Sequence, residues 1–417
     1  MALPPEIVEK ILINCDGRTL LAARRVCRQW RTLVEYLSKK TALWEWCCLE
    51  EIPKKELTQY LIHYNRDDPS IWFFIYKNWM TWQNIAEVEF EIVLSPAEIP
   101  RITCIDVFEE FIAVGSEDGR VRIYDEYWKP LIMTRHQAEK VAKVTFFYSD
   151  SILKIVTAYP KALIVDDLYG DGYNHLIIED VMSHRVGSHN CSIYKDYICY
   201  QKHGGRLTVE KLTNANNDRL LEETWFARVY SPKNITCINM WNGVCTVLVS
   251  NEVRKVDYDS KNILPASIYT EKCLLNFSSI PNSVTSQQIP LILRDDIIIV
   301  LYKSENSVDK EYMEVIMLEG GAKYSKKLFN TTEVLDGTIT CICLYGNTLV
   351  LGVDRGIVYF YHVPSWKHFT IKEYGKKIII GKHPITNIVV RETKQQRKFY
   401  ITSSFNIHEV IGFCSSF

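Results

Sequence analysis

The chain has 417 residues, 47% of them hydrophobic and 24% charged, with a formal net charge of −1. That near balance argues against bulk electrostatic attachment to nucleic acid or to a membrane surface, and no apolar run reaches the ~18 residues of a membrane span. The length allows one large domain with a small companion, or two to three of average size.

The first residues, MALPPEIVEK, lack the basic segment and apolar stretch of a secretory leader. The 13 cysteines are therefore expected as reduced thiols in the cytoplasm, the nucleus or both. Cys47-Cys48 and Cys341-x-Cys343 lack zinc spacing and no His pair completes a set, so no metal or cofactor is expected. Without secretion the Asn190, Asn234, Asn276 and Asn330 triplets carry no glycan signal.

Pro4 and Pro5 stand where a helix start tolerates proline, and Glu6 suits its first turn. Ile7, Ile11 and Leu12 recur on one helical face. Asp16-Gly17 breaks that run, and Thr19 is expected to cap the next helix. Leu20, Leu21, Val26, Trp30, Leu33 and Val34 follow, with Val26, Trp30 and Leu33 at i, i+4 and i+7. About thirty residues are too few to cover so much apolar surface alone. Residues 1–40 carry eight basic and four acidic groups, a net +4. Arg24, Arg28 and Arg31 fall at helical spacing, either as a solvated face or as an attraction to an acidic partner.

In register, these residues are Leu3-Pro4-Pro5-Glu6-Ile7, Ile11-Leu12, Leu20 and Val26-Cys27-Arg28-Gln29-Trp30. The pattern resembles the F-box family, with Cys15 departing from the usual Leu. The resemblance assigns residues 1–38 to an F-box. It implies docking on the Skp-type adaptor of a cullin ubiquitin ligase. The implied adaptor contacts are Leu3, Pro4, Ile7, Ile11, Leu12, Leu20, Val26, Cys27, Trp30 and Leu33, with Leu3 and Trp30 as hot spots. Some family members dimerise through a helix ahead of the F-box. With the pattern starting at residue 3, no homo-oligomer is expected.

Residues 39–85 are crowded with Trp44, Trp46, Trp72, Trp79 and Trp82. Leu57, Leu61 and Tyr64 have helical spacing, as do Trp72, Tyr76 and Trp79, and Ser70 is placed to cap the second run. A flexible linker would be rich in Gly and Ser. This one must pack, and it resembles the helical linker of F-box proteins with WD repeats. A base-stacking surface is the alternative, which the helical spacing disfavours.

From residue 86 the pattern turns to β. Ile-Thr-Cys-Ile occurs at 102–105, 235–238 and 339–342, and Ile385-Thr386-Asn387-Ile388 is a weaker copy. The separations fit a unit of about 45 residues, the length of a propeller blade. Further starts at Val141, at His189 and near Ile289 bring the count to about seven. In ITCIDVFEEFIAVGSEDGRVRIYDEYWKPLIM the four strands are expected at Ile102–Phe108, Phe111–Gly115, Arg120–Tyr124 and Leu131–Thr134. Asp118-Gly119 and Arg355-Gly356 occupy equivalent tight turns. The units resemble WD repeats, with Tyr124-Asp125 in place of Trp-Asp and no Gly-His pair. The expected architecture is a small all-α F-box and helical linker followed by an all-β, WD-repeat-like propeller over 86–417. The strand-like 85–94 is expected to complete the last blade and close the ring.

No nucleophile elbow, P-loop, HExxH or kinase pattern is present. No catalytic residue is assigned, and no enzyme activity is expected. In WD repeats the loops between strands d and a, and between b and c, form the binding face. The resemblance places Arg101, Lys140, His189, Lys233 and Arg355 there, as candidates for contacting a target protein whose phosphorylation state is left open. The implied function is substrate receptor of a Skp/cullin/F-box ligase, with an adaptor-bound scaffold or a propeller enzyme as the alternatives.

Overall fold

The computed structural model describes residues 4–61, 68–134, 136–149, 152–168, 175–178, 191–194, 197–202, 206–215, 218–228, 235–241, 243–249, 252–257, 273–275, 286–304, 311–320 and 323–413. Three helices come first: α1 (Pro5–Ile13), α2 (Gly17–Val26) and α3 (Arg28–Lys40). The cap of α2 is Asp16 rather than Thr19. Its carboxylate accepts from the Thr19 backbone N–H at 2.8 Å, because the break residue itself carries the better acceptor. A second correction concerns Cys27, which is extended at φ −160° and ψ 168°. Val26 and Trp30 therefore sit on two helices, as do Arg24 and Arg28. The turn lets Leu20 and Ala23 of α2 join Val34 and Leu37 of α3 in one core, a gain no local residue preference announces. Arg24 is not a free solvated cation either. It pairs with Glu35 at 3.1 Å and its guanidinium lies 4.1 Å from the Phe73 ring.

Three more helices follow, α4 (Leu43–Glu51), α5 (Lys54–Leu61) and α6 (Ile71–Trp82). Tyr64 lies outside the described residues. At the start of α6 it is Asp68 that accepts from the Ser70 N–H, at 2.9 Å, while the Ser70 hydroxyl makes no cap bond. Helix α6 packs on two sides. Tyr76 meets Trp44 at 5.6 Å, and the Cys48 thiol donates to the Trp72 carbonyl. On the other side Trp82 is buried against Phe399, at 5.3 Å between ring centroids. One continuous apolar core consequently runs from Val8 in α1, through α4, α5 and α6, to Val410 in the last β-sheet.

The rest is β. Among the described residues there are seven four-stranded antiparallel sheets, the blades of a propeller. Their innermost strands are Ile102–Phe108, Lys143–Ser149, Cys191–Tyr194, Ile235–Trp241, Ser286–Arg294, Ile339–Tyr345 and Asn387–Glu392. Blade 1 continues with Phe111–Ser116, Val121–Tyr124 and Pro130–Met133, within a residue of the expected bounds. Gly119 and Gly356 have φ of +72° and +71°, the left-handed turn geometry that favours glycine. The second strands Phe111–Ser116 and Thr348–Val353 are buried at every position, because neighbouring blades cover both faces. Blade 7 comprises Asn387–Glu392, Arg397–Thr402 and Ile407–Phe413, and its outer strand is Glu89–Leu94. The segment before blade 1 thus closes the ring.

Polar groups on the innermost strands tie blade to blade. Asp106 accepts from the Phe146 N–H at 2.7 Å, and Ser192 from the Met240 N–H at 2.9 Å. Asn239 donates to the Ile292 carbonyl, and Asn387 to the Thr103 carbonyl across the closure, both at 3.2 Å. Desolvation in the channel wall pushes Asp106 up to about 6, against the pull of the Phe146 and Val107 N–H groups. A carboxyl raised in the folded state holds its proton more firmly there than when unfolded. The cost of its charge is present above about pH 6 and fades as pH falls towards ~4. Asp106→Asn keeps the acceptor oxygen. It is expected to raise Tm by a few degrees at about pH 8 and to lose that advantage near pH 4.5. Thermal melts at the two pH values decide it, and equal shifts would overturn the assignment.

Candidate functional site

Two surfaces stand out, at opposite ends of the molecule. The first is on α1 and the turn between α2 and α3. Spacing on α1 puts Val8 and Leu12 inward and leaves Ile7 and Ile11 outward, 43% and 47% exposed. Val26 is 64% exposed, and Pro4 and Cys27 are exposed beside their helices. Trp30 and Leu33 are half-buried, each packed on the domain core with one side open. Leu12 and Leu20 require correction as adaptor contacts: at 1% and 0% exposure they are sealed in the core and offer no surface. Leu3 lies outside the described residues. Exposed apolar residues that the sequence reading passed over are Ile13, Tyr36, Trp46 and Leu49. Trp46 belongs to an aromatic run whose helical spacing points to core, yet it is 50% exposed. Only the three-residue offset from Trp46 to Leu49, away from buried Leu43, Trp44, Cys47 and Cys48, could have separated it.

The connector seats this unit on the propeller. Lys55 of α5 pairs with Asp295 at 3.1 Å and Asp296 at 3.0 Å, in the turn between strands a and b of blade 5. Gln59 donates to the Leu344 carbonyl and accepts from the Gly346 N–H at 2.7 Å, in the same turn of blade 6. Asn78 of α6 donates to the Thr393 carbonyl at 2.9 Å, and Lys394 pairs with Asp68 at 2.6 Å, in the same turn of blade 7. Gly346 has φ +57°, and a Cβ there would lie 2.0 Å from the Tyr60 hydroxyl, so only glycine admits α5 so closely. At the other end of the connector, Glu51 of α4 accepts from the Gly17 N–H at 2.7 Å and from the Tyr76 hydroxyl. Both units are held by hydrogen bonds and ion pairs as well as by the shared core.

Antiparallel strands put the a–b turns and the b–c turns at opposite ends of each blade. The d–a and b–c loops therefore form the face away from the connector. Arg101, Lys140 and Arg355 lie on that face and all three are exposed. Arg101 is engaged with Glu117 at 3.2 Å, whereas Lys140 and Arg355 make no ion pair among the described residues. His189 and Lys233 lie outside the described residues. The same face carries Phe405, 58% exposed at the b–c turn of blade 7, with the His383 ring 6.4 Å away. Lone aromatic residues in turns give no sequence signal, and this one was not anticipated. Among the described residues no group of three His, Cys, Asp or Glu side chains could hold a metal ion.

An F-box domain family model matches residues 1–41. No curated protein matches the chain. Among solved structures, the N-terminal domain of Nup159 aligns with a TM-score of 0.51 and 12% identity, covering 79% of this chain and 96% of that one. BamB from Moraxella catarrhalis aligns with a TM-score of 0.42 and 12% identity, covering 76% of this chain and 84% of that one. At such identity the Nup159 likeness shows the fold alone. F-box domains bind Skp-type adaptors, and F-box proteins are in general non-catalytic subunits. The chain thus carries an F-box domain at residues 1–41 on a seven-bladed β-propeller, the organisation of an F-box propeller protein.

Proposed function

We propose that this chain is the substrate receptor of a Skp/cullin/F-box ubiquitin ligase, acting in the cytoplasm or nucleus. The observation that carries the reading is the exposed apolar face of Ile7, Ile11 and Val26, which the chain's own propeller leaves uncovered. Charge-free aliphatic residues in such a patch gain most from a partner that buries them. The F-box would hold the adaptor, and through it the cullin. The d–a and b–c loops, with Arg355, Lys140 and Phe405, would hold the target. The connector's contacts with blades 5, 6 and 7 would fix the distance between the two, so that the target meets the ubiquitin-charged enzyme at high effective concentration. The chain would supply geometry and no chemistry.

The test is a pair of measurements in cells. Proteins that accumulate on an Ile7→Glu/Ile11→Glu variant, relative to wild type, are identified by quantitative mass spectrometry. Their half-lives are then followed after depletion of this protein. A receptor predicts longer half-lives, lost restoration with the adaptor-blind variant, and restoration with wild type. Unchanged turnover of every captured protein would leave a scaffold instead.

A further inference from the structure

On the face away from the connector, the fold presses four exposed side chains of blades 6 and 7 into one strip. The Arg355-Gly356 turn joins the second and third strands of blade 6, and Gly381-Lys382-His383 leads from blade 6 into blade 7. The Gly356 carbonyl accepts from the Ile380 N–H at 2.9 Å. A Cβ on Gly356 would lie 2.4 Å from the Gly381 carbonyl oxygen and 3.1 Å from that of His383, so glycine at φ +71° lets turn and loop touch. The His383 ring in turn meets the Phe405 ring edge-on, 6.4 Å between centroids. Phe405 stands exposed in the b–c turn of blade 7, and Arg355, Lys382 and His383 are exposed beside it. The charges of this strip are not spent inside the chain. Asp354 accepts from the Thr338 N–H at 3.1 Å, Asp336 pairs with Lys377, and Glu117 holds Arg101 at 3.2 Å. Arg355 and Lys382 make no ion pair among the described residues.

We propose that this strip docks an acidic linear segment of the target protein, with aspartate or glutamate carboxylates on Arg355 and Lys382 and an intervening apolar side chain on the Phe405 and His383 rings. The inference rests on the receptor reading and names the class of signal it would take. Charge selects the occupant. Two exposed cations without partners gain from anions brought to them, and a ring beside them gains from an apolar group on the same ligand. The anion is a carboxylate because only one guanidinium of the strip is free. One planar fork matches one carboxylate, whereas a dianionic phosphate is held best by several such groups. The second guanidinium nearby, that of Arg101, is already engaged by Glu117. A nucleic acid fits less well still. The Ile102 N–H donates to the Ser404 carbonyl at 2.7 Å, which sets the start of blade 1 beside the Phe405 turn. Glu98 and Glu117 stand exposed on that border and would repel a strand with a phosphate at every step.

The test is fluorescence anisotropy of the purified full chain with a short labelled peptide carrying a leucine flanked by glutamates. Saturable binding is expected. Arg355→Glu and Lys382→Glu are each expected to weaken it at least about tenfold, and Phe405→Ala at least about threefold, with unchanged melting temperatures. Lys372→Glu makes the same charge change between the third and fourth strands of blade 6, at the opposite end of the blade, and is expected to leave the affinity as it is. Absence of binding would overturn the proposal. So would equal affinity for a peptide with glutamines in place of the glutamates, or a loss from Lys372→Glu as large as that from Arg355→Glu. A phosphoserine peptide or a single-stranded oligouridine that binds more than about tenfold tighter would overturn the carboxylate assignment. The assay contains no adaptor and no ligase. Failure of the peptide to bind, with captured proteins still stabilised on depletion of this chain, would remove this strip and keep the receptor reading. Binding with unchanged turnover would keep the strip and remove the receptor reading.

Discussion

Ile7→Glu combined with Ile11→Glu is expected to abolish co-purification of a Skp-type adaptor while leaving the melting temperature within about a degree of wild type. Both side chains are exposed on α1, so the folded chain already tolerates solvent at these positions. Placing a carboxylate there removes no core contact, and Glu suits a helix interior about as well as any residue. In the complex the same positions would be desolvated. An uncompensated charge there costs several kcal/mol, and ~3 kcal/mol already weakens binding more than 100-fold. Leu12→Ala provides the contrast. Leu12 is sealed in the domain core, and truncation there is expected to cost ~2–5 kcal/mol of stability through transfer and cavity effects. It should reduce adaptor binding only in proportion to unfolding. Pull-down and thermal melting of both variants separate the surface role from the core role. Retained binding by the double Glu variant would exclude Ile7 and Ile11 from the interface.

Arg397→Met is expected to loosen the seat of the connector more than any other single change at that junction. Arg397 is fully buried in blade 7, and its Nε donates to the Glu392 carboxylate at 2.6 Å. It also donates to the Thr348 hydroxyl at 3.0 Å and to the Tyr60 hydroxyl of α5 at 3.4 Å. Its guanidinium lies 4.6 Å from the Trp82 ring centre and 4.8 Å from that of Tyr345. One side chain thus joins α5, α6 and blades 6 and 7. Burial pushes the Glu392 carboxyl above its ordinary range, and the Arg397 charge pulls it back. Methionine fills similar volume but leaves Glu392 buried without its partner, a loss of ~3–5 kcal/mol. Adding Glu392→Gln removes the stranded charge and is expected to restore more than half of that loss. Thermal and denaturant unfolding of the single and double variants provide the measurement. Limited proteolysis should show faster cleavage between α5 and α6 in the single variant alone. A single variant as stable as wild type would deny the pair its role.

Several features were legible in the amino-acid order because they depend on local spacing. The helical period put Ile7 and Ile11 on one face of α1, but it grouped Leu12 with them, whereas Leu12 turns inward with Val8. The Ile-Thr-Cys-Ile copies marked three innermost strands, since a blade repeats one local unit. The glycines at 119 and 356 marked equivalent turns, since few other residues accept positive φ there. The closing strand was readable because a propeller with a three-stranded last blade would leave an edge unpaired.

Tertiary packing alone decided the rest. Cys27 breaks a helix that its neighbours would continue, because only a turn brings Leu20 against Val34 and Leu37. The same turn divided the expected adaptor residues, sealing Leu20 and exposing Val26. Residue type could not say which apolar side chains the domain would keep for itself. Nor could it place Arg397, a charge the sequence would put in water, beneath α5 and α6. Residue order was enough for the class of each segment and for the repeat of the blades, since those rest on hydrogen bonds and side-chain periods within a few residues. Which end of the propeller receives the F-box was decided by pairs more than two hundred positions apart, Lys55 with Asp295 and Gln59 with Gly346. Contacts of that range have no local signature, because their free energy exists only once the chain is folded.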